Sequence, residues 1–328
     1  MNLSTIKGQH VLITGGLGFI GSNLSLKCLQ LGAKVTIYDC LDPKSGGNMH
    51  NIKLIKDDVN IVLNDIRNFE GMCAAVLNKD IVFNCAAYTS HPGAMREPLV
   101  DIEVNCKGVI NLLEAARRFN PTIKVVHIGT STQIGRMQGD SVNELHPEFP
   151  MDIYSANKSV SEKYVLIYCS AYNMRTTVVR LANNFGPRSN IKSPDFGFIN
   201  YFIGLALQNK EITIFGEGGQ LRNFSYVEDS VNALILASQN EKSNGLVFFA
   251  VADRQYSVSE VASKLVEIIG GRLKYIDWPK EREAIEVGDA IISNEKIKRI
   301  LKWNPEFDLI QGLSKAKEYF CGCKDNYL

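Results

Sequence analysis

Val11-Leu12-Ile13-Thr14-Gly15-Gly16-Leu17-Gly18-Phe19-Ile20-Gly21 is the stretch on which the reading of this chain turns. Apolar, β-favouring residues run into a glycine turn, and an apolar-periodic helix follows at once. Ile20, Leu24, Cys28 and Leu31 recur at helical spacing, and Gly32 supplies the stop. The order is strand, glycine turn, helix. Gly15 lets the chain turn, Gly18 lets backbone N–H groups approach a pyrophosphate, and Gly21 lets helix and strand pack closely. Phosphates would then sit against the unpaired N–H groups at the positive end of the helix. A loop that merely joins strand to helix is the bland alternative.

Lys34-Val35-Thr36-Ile37-Tyr38-Asp39 reads as a second strand ending in an acid, about 20 residues after the glycines. An acid there accepts hydrogen bonds from the adenosine ribose hydroxyls and repels a 2′-phosphate, which favours NAD over NADP. A solvated carboxylate at a strand end is the competing reading.

The remaining composition excludes more than it suggests. With 328 residues, 45% hydrophobic and 22% charged, the chain is an ordinary globular one, long enough for one large domain or two modest ones. A net charge of +1 gives no electrostatic reason to expect nucleic acid or an anionic membrane as partner. No apolar run approaches the ~20 residues that span a bilayer. Met1 to Gln9 lacks the apolar core of a secretory signal, so a cytoplasmic location is expected. Cys321-Gly322-Cys323 has no companion ligands at zinc spacing, so no metal is expected.

Taken in order, Asn60 to Leu63 reads as a third strand, closed by Asn64-Asp65-Ile66. Asp65 could bond an adenine edge or cap the next helix. Ile81 to Ala86 is a continuously apolar fourth strand, and the small Ala86 and Ala87 let a flat cofactor approach. A long helix is expected over 101–119, then a fifth strand, Lys124 to Ile128, ending in Gly129-Thr130-Ser131-Thr132. A second long helix runs over 154–172, and Thr176 to Leu181 is a sixth strand. Alternating strand and helix predicts an α/β fold, a doubly wound parallel sheet of the Rossmann type over 1–182. The region 183–328 reads mainly as a smaller mixed α/β substrate lobe, with chain returning to the sheet domain over about 220–250.

Tyr154 and Lys158 lie four apart on a helix, hence on one face. A tyrosine with a pKa near ~10 is a poor base at neutral pH. A neighbouring ammonium, with the positive charge of an oxidised nicotinamide, would stabilise its phenolate. Thr130, at a strand end, could bond the same substrate oxygen.

Together these features resemble the extended short-chain dehydrogenase/reductases: Thr14-Gly15-Gly16-Leu17-Gly18-Phe19-Ile20-Gly21, Asp39, Asn84-Cys85-Ala86-Ala87, Asn105, Thr130 and Tyr154-x-x-x-Lys158. Within that group the chain looks like the nucleotide-sugar epimerases and dehydratases. Arg180 to Arg188 is similar to the family's Arg-x-x-Asn-x-Tyr-Gly-Pro-Arg stretch, and Gly216 to Asp229 to its Gly-Asp-Gly-x-Gln-x-Arg-Asp segment. The resemblance implies that Tyr154 removes a sugar hydroxyl proton, Lys158 holds the nicotinamide ribose and Thr130 aligns the hydroxyl. It implies a cofactor set of Gly15, Gly18, Phe19, Ile20, Gly21, Asp39, Asp65, Ile66, Ala86, Ala87, Asn105, Tyr154 and Lys158. For a nucleotide-diphosphate sugar it implies Ser131, Thr132, Asn183 and Arg222, with Arg282 as a further candidate.

All the family's reactions open with hydride passing from sugar carbon 4 to NAD. Dehydratases of the glucose type then use an Asp-Glu pair directly after the threonine, where this chain has Ser131-Thr132. Without that carboxylic acid an elimination lacks its acid/base, so a 4-epimerase is favoured. A 4,6-dehydratase or 4-dehydrogenase is the near alternative, and a non-catalytic NAD sensor the distant one. The family's Arg-x-Gly-Asp segment here reads Glu286-Val287-Gly288-Asp289, a charge reversal. His91, in Ser90-His91-Pro92-Gly93, could be a second acid/base, with a solvated loop histidine the plainer reading. Family members commonly pair through the two long helices, so a homodimer is expected.

Overall fold

The computed structural model describes residues 6–42, 45–283 and 286–328. The opening stretch forms β1 (His10–Thr14), a glycine turn and α1 (Phe19–Gln30), and β2 (Lys34–Asp39) pairs parallel to β1. The chain continues through β3 (Asn60–Leu63), α2 (Phe69–Val76) and β4 (Ile81–Asn84). Short helices α3 (His91–Arg96) and α4 (Pro98–Asp101) lead to α5 (Gly108–Phe119), β5 (Lys124–Thr130), α6 (Ile153–Tyr172) and β6 (Arg175–Leu181).

These strands and β10 (Val247–Ala250) make one seven-stranded parallel sheet in the order β10-β6-β5-β4-β1-β2-β3. Successive strand residues point to opposite faces, and both faces are covered. Val11, Ile13, Phe83, Val126 and Val179 pack with Leu24 and Cys28 of α1. Their neighbours Leu12, Val82, Val125 and Val178 pack on the other side with Met72, Leu112 and Val165 from α2, α5 and α6. At about 1.5–3 kcal/mol for each large side chain fully buried, these two layers are the main stabilisation of the fold. Strand order reverses at β1, which has β2 on one side and β4 on the other. Chains leaving the sheet there diverge and open a crevice outside the strand ends.

The second region begins with β7 (Asn183–Phe185), α7 (Phe198–Leu207), β8 (Glu211–Phe215) and β9 (Leu221–Tyr226). After α8 (Val227–Gln239) and β10 come β11 (Gln255–Ser257), α9 (Val258–Ile268) and β12 (Arg272–Ile276). Strands β11, β9 and β7 form a small mixed sheet, and β12 pairs with β8. Helices α10 (Lys280–Glu283), α11 (Glu295–Leu301) and α12 (Leu309–Cys321) complete the chain. Fully buried Trp303 donates from Nε1 to the Asp229 carbonyl at 3.0 Å, and the Asp229 carboxylate takes the N–H groups of Glu306 and Phe307. The C-terminal segment is thereby fastened to α8.

Three expectations about elements are corrected. The helix over 101–119 is not uniform: between α4 and α5 the chain makes a π-helical stretch, Ile102–Lys107. Asn105 lies within this stretch and is buried. Strand β4 stops at Asn84: Cys85 N–H makes the last ladder bond, to the Thr14 carbonyl, and Ala86 N–H turns to the Thr14 hydroxyl instead. The cap of α2 is Asn68, whose side chain accepts from Gly71 N–H at 3.1 Å, and not Asp65.

Candidate active site

A cleft of about 390 Å³ runs along the carboxyl ends of the sheet strands to the small mixed sheet. At one end lie Gly15, Gly18, Phe19, Ile20 and Gly21 with Asp39, Asp65 and Ile66. Its middle carries Ala86, Ala87, Thr130, Ser131, Thr132, Tyr154 and Lys158, and its far end Asn183 and Arg222.

Backbone geometry shapes the first end. Gly15 has φ +65°, and a Cβ there would lie 2.7 Å from the Ala86 nitrogen. A Cβ on Gly21 would lie 2.2 Å from the Gly15 carbonyl oxygen, so only glycine lets the helix start this close to the turn. The N–H groups of Phe19, Ile20 and Gly21 form the first turn of α1, where an α-helix leaves its donors unpaired. Asp39 accepts from Leu17 N–H and Leu41 N–H, both at 2.9 Å, so the same carboxylate ties the glycine turn to the end of β2. Burial pushes its pKa upward against the opposing effect of these bonds. Asp65 is gripped by Arg67 through backbone and guanidinium bonds, which hold its carboxyl below the ordinary range. A cradle that a Cβ would fill, first-turn donors and an acid at the end of β2 together fit a dinucleotide.

The chemistry-bearing residues meet where β5 and α6 converge. Asp152 caps α6 by accepting Ser155 N–H at 2.8 Å, which fixes the first turn that carries Tyr154. The Tyr154 hydroxyl is hydrogen-bonded to Thr130. Burial, followed by the charges of Asp101 and Asp152, holds the phenol's pKa above its ordinary value, and only the Thr130 bond opposes them. Lys158 lies one helical turn on; its Nζ donates to the Ile128 carbonyl at 2.6 Å. Burial pushes it down to about 8. In this state Tyr154 is a proton-bearing phenol, and it becomes a base only when cationic charge is brought beside it.

Behind Lys158 stands a relay that sequence reasoning missed. Lys158 Nζ is 3.3 Å from His127 Nε2, and His127 Nδ1 is 3.0 Å from the Asn84 side-chain amide. Asn84 in turn accepts from Thr14 Oγ1 at 2.7 Å. The sheet register aligns these residues, since Thr14 pairs with Asn84 and Asn84 with His127. Burial and the Lys158 charge push His127 well below the ordinary histidine pKa, so it presents a neutral imidazole to the ammonium. A histidine inside an otherwise apolar strand was the available signal, because a buried polar ring needs partners. A second missed cluster lies nearby: fully buried Arg180 pairs with Glu162 at 2.6 Å and Glu148 at 2.5 Å, joining β6 to α6.

The far end of the cleft is occupied by its own side chains. Arg222 is paired with Glu286 and also donates to the carbonyls of Leu221 and Gly288. The acid that reverses the family's charge pattern therefore faces Arg222, which with Asn183 is expected to hold a pyrophosphate. Asn183 donates its amide to the Asn223 carbonyl at 3.0 Å. The Thr132 hydroxyl lies 3.1 Å from that of Thr130 and accepts from Ser155 at 2.8 Å. Asn105 stands outside the cleft: it is 1% exposed, and both ends of its amide are used by the Tyr88 backbone, at 3.1 and 2.9 Å. It braces the segment after β4. The side chain of Arg282 lies outside the described residues. Among the described residues no group of three or more His, Cys, Asp or Glu side chains could hold a metal. No helix is long and apolar enough to cross a membrane among the described residues.

A Rossmann sheet with this cleft defines a dinucleotide-dependent enzyme class. Residues 11–248 match the model of the NAD-dependent epimerase/dehydratase family, and the chain belongs to that family, whose cofactor is NAD. It is 32% identical over 309 residues to a protein of Methanocaldococcus jannaschii whose name, UDP-glucose 4-epimerase, is provisional; the match spans 93% of this chain and 96% of that one. It is 29% identical to the UDP-N-acetyl-alpha-D-glucosaminuronate decarboxylase of Bacillus cytotoxicus, over 95% of this chain and 98% of that protein. Among solved structures, UDP-glucose 4-epimerase of Thermotoga maritima with UDP-glucose superposes with a TM-score of 0.86 at 28% identity, covering 95% and 99% of the two chains.

Proposed function

We propose that this protein is an NAD-dependent nucleotide-sugar epimerase acting at carbon 4. The observation that carries the reading is the composition of the cleft centre. Thr130, Tyr154 and Lys158 converge there, and the loop that follows, Ser131–Ile134, offers hydroxyls and an amide but no carboxylic acid. Tyr154 takes the proton of the sugar hydroxyl, and Thr130 holds that hydroxyl in line through the same hydrogen-bond network. Lys158, steadied by Ile128 and His127, would hold the nicotinamide ribose, and its charge together with that of the oxidised nicotinamide would lower the pKa of the phenol. When bound, NAD accepts and then returns the sugar's hydride. Epimerisation needs only that the keto sugar present its other face before the hydride returns, so no further acid/base is required in this loop.

Gly15, Gly18 and the first turn of α1 hold the cofactor's pyrophosphate, Asp39 and Asp65 with Ile66 its adenosine, and Ala86 and Ala87 leave room for it. Residues 1–182 with the returning chain at about 220–250 serve as the cofactor domain, and 183–328 mainly as the substrate lobe. Asn183 and Arg222 receive the nucleotide diphosphate, Arg222 after release from Glu286. We also propose a homodimer through α5 and α6, supported by the exposed Ile102, Phe119, Val160 and Ile167 on and beside these helices.

The test is to incubate purified protein, without added cofactor, with UDP-glucose, UDP-N-acetylglucosamine and dTDP-glucose, and follow products by mass spectrometry and proton NMR. An isomer of unchanged mass is expected. A product lighter by one water would make it a dehydratase, and one lighter by two hydrogens, formed only with added NAD, a dehydrogenase.

A further inference from the structure

We propose that His91 and Asp152 form a second proton-transfer site in this cleft, exchanging protons at a ring carbon that flanks the oxidised carbon 4. The inference rests on the proposed oxidation at carbon 4, which makes the flanking C–H bonds acidic.

Four observations place the pair. His91 lines the same cleft as Thr130, Tyr154 and Lys158. Its ring lies edge-on to that of Tyr154, with centroids 4.6 Å apart and planes at 64°. Its Nδ1 is 2.7 Å from Asp152 Oδ2. Finally, both partners are held at helix starts: Ser90 caps α3 by accepting Gly93 N–H at 2.9 Å, and Asp152 caps α6 through its other oxygen.

The chemistry follows from the donor and acceptor roles. A carboxylate only accepts, so the proton of this bond is on Nδ1. In the neutral ring that leaves a lone pair on Nε2, which takes no hydrogen bond from any described residue. An imidazole oriented by a carboxylate and partly open to a cleft is the arrangement of a general base. Burial raises the Asp152 carboxyl, but the bond and charge of His91 together with Ser155 outweigh it, so the residue stays ionised at neutral pH. The step is balanced. The C–H bond beside the ketone breaks, its proton passes to Nε2, and the electron pair moves into an enolate on the ketone oxygen. Nε2 then returns a proton, exchanged with solvent, to the same carbon. No oxidant or reductant is consumed.

The test uses a ketone supplied ready-made, so that it does not depend on hydride transfer. The protein is incubated in D2O with UDP-4-keto-6-deoxyglucose, and proton NMR follows loss of the signals at carbons 3 and 5. The expected result is exchange at one flanking carbon at least about 100-fold above buffer. His91→Asn should lower the rate at least about tenfold, and Asp152→Asn, which keeps a residue able to cap α6, by a smaller factor. Exchange at the buffer rate in the wild-type protein would overturn the proposal. So would a His91→Asn protein, folded by circular dichroism, that exchanges as fast as wild type. If His91→Asn does not fold, Asp152→Asn decides by the same comparison. Exchange on the ketone without conversion of any ordinary nucleotide sugar would defeat the proposed epimerase reading and leave this pair's activity standing.

Discussion

The two ends of the cleft are built from different materials. The cofactor end is made of backbone: a glycine at φ +65°, another with no room for a Cβ, and helix N–H groups that need no side chain to point them. The substrate end is made of side chains that already hold one another, with Arg222 on Glu286 and Asn183 on the Asn223 carbonyl. A backbone cradle is rigid and takes one kind of ligand. Paired side chains have to be exchanged for the ligand's groups, so their affinity is a difference between two sets of bonds. This difference teaches where the family's common chemistry sits and where an individual member is free to vary.

The largest effect is expected where the two ends meet. Tyr154→Phe keeps the buried ring and removes the hydroxyl bonded to Thr130, so turnover should fall about 10³-fold in steady-state assays of sugar conversion. An unaltered rate would remove the phenol from the chemistry. On the backbone side, Gly21→Ala would place a Cβ 2.2 Å from the Gly15 oxygen. Overpacking of this kind costs roughly 1–3 kcal/mol, and calorimetric NAD binding should weaken by about 10- to 100-fold. Wild-type affinity in that variant would break the claim that backbone shape makes this end.

A pH experiment sharpens the same comparison at Lys158. Burial depresses it to about 8, below the roughly 10.4 of an exposed lysine. Between these values the unfolded chain binds the proton and the folded one does not, so this group's contribution is complete above the unfolded value and is lost as pH falls toward 8. Raising the pH from 8 to 10 should therefore stabilise the wild type by roughly 2 kcal/mol relative to Lys158→Met, read from denaturant midpoints. Parallel pH profiles for the two proteins would contradict the buried, desolvated placement. The smallest effect belongs to the side-chain end. Glu286→Gln should loosen Arg222 and lower the KM for a nucleotide-diphosphate sugar about threefold to tenfold, in keeping with the ~1 kcal/mol of a partly exposed ion pair. A raised KM would mean that Glu286 helps to hold the substrate.

The same contrast explains what could be read from the sequence. The glycine turn, Asp39 and the Tyr154–Lys158 spacing are local constraints, settled by neighbours a few residues apart, and the strand–helix alternation follows from hydrophobic periodicity. His127, Asp152 and Glu286 acquire their importance only through partners 31, 61 and 64 residues away. Sheet register and helix packing create those pairs, and no spacing within the chain announces them. Asn105 shows both sides. Its place in a family pattern was legible in the sequence, whereas the Tyr88 backbone that its amide bridges was not. Val247–Ala250 joined the sheet as its seventh strand for a related reason: a four-residue apolar run gives its neighbour only after the chain has folded back.

The most direct measurement of the central claim is the fate of the hydrogen on carbon 4. Wild-type protein is incubated in ordinary water with UDP-glucose deuterated at carbon 4, and the product is read by mass spectrometry and proton NMR. The account predicts the carbon-4 epimer with its deuterium retained at that carbon, because the hydride leaves and returns within one cleft. Loss of the label to water, or a product lighter by one water, would contradict it.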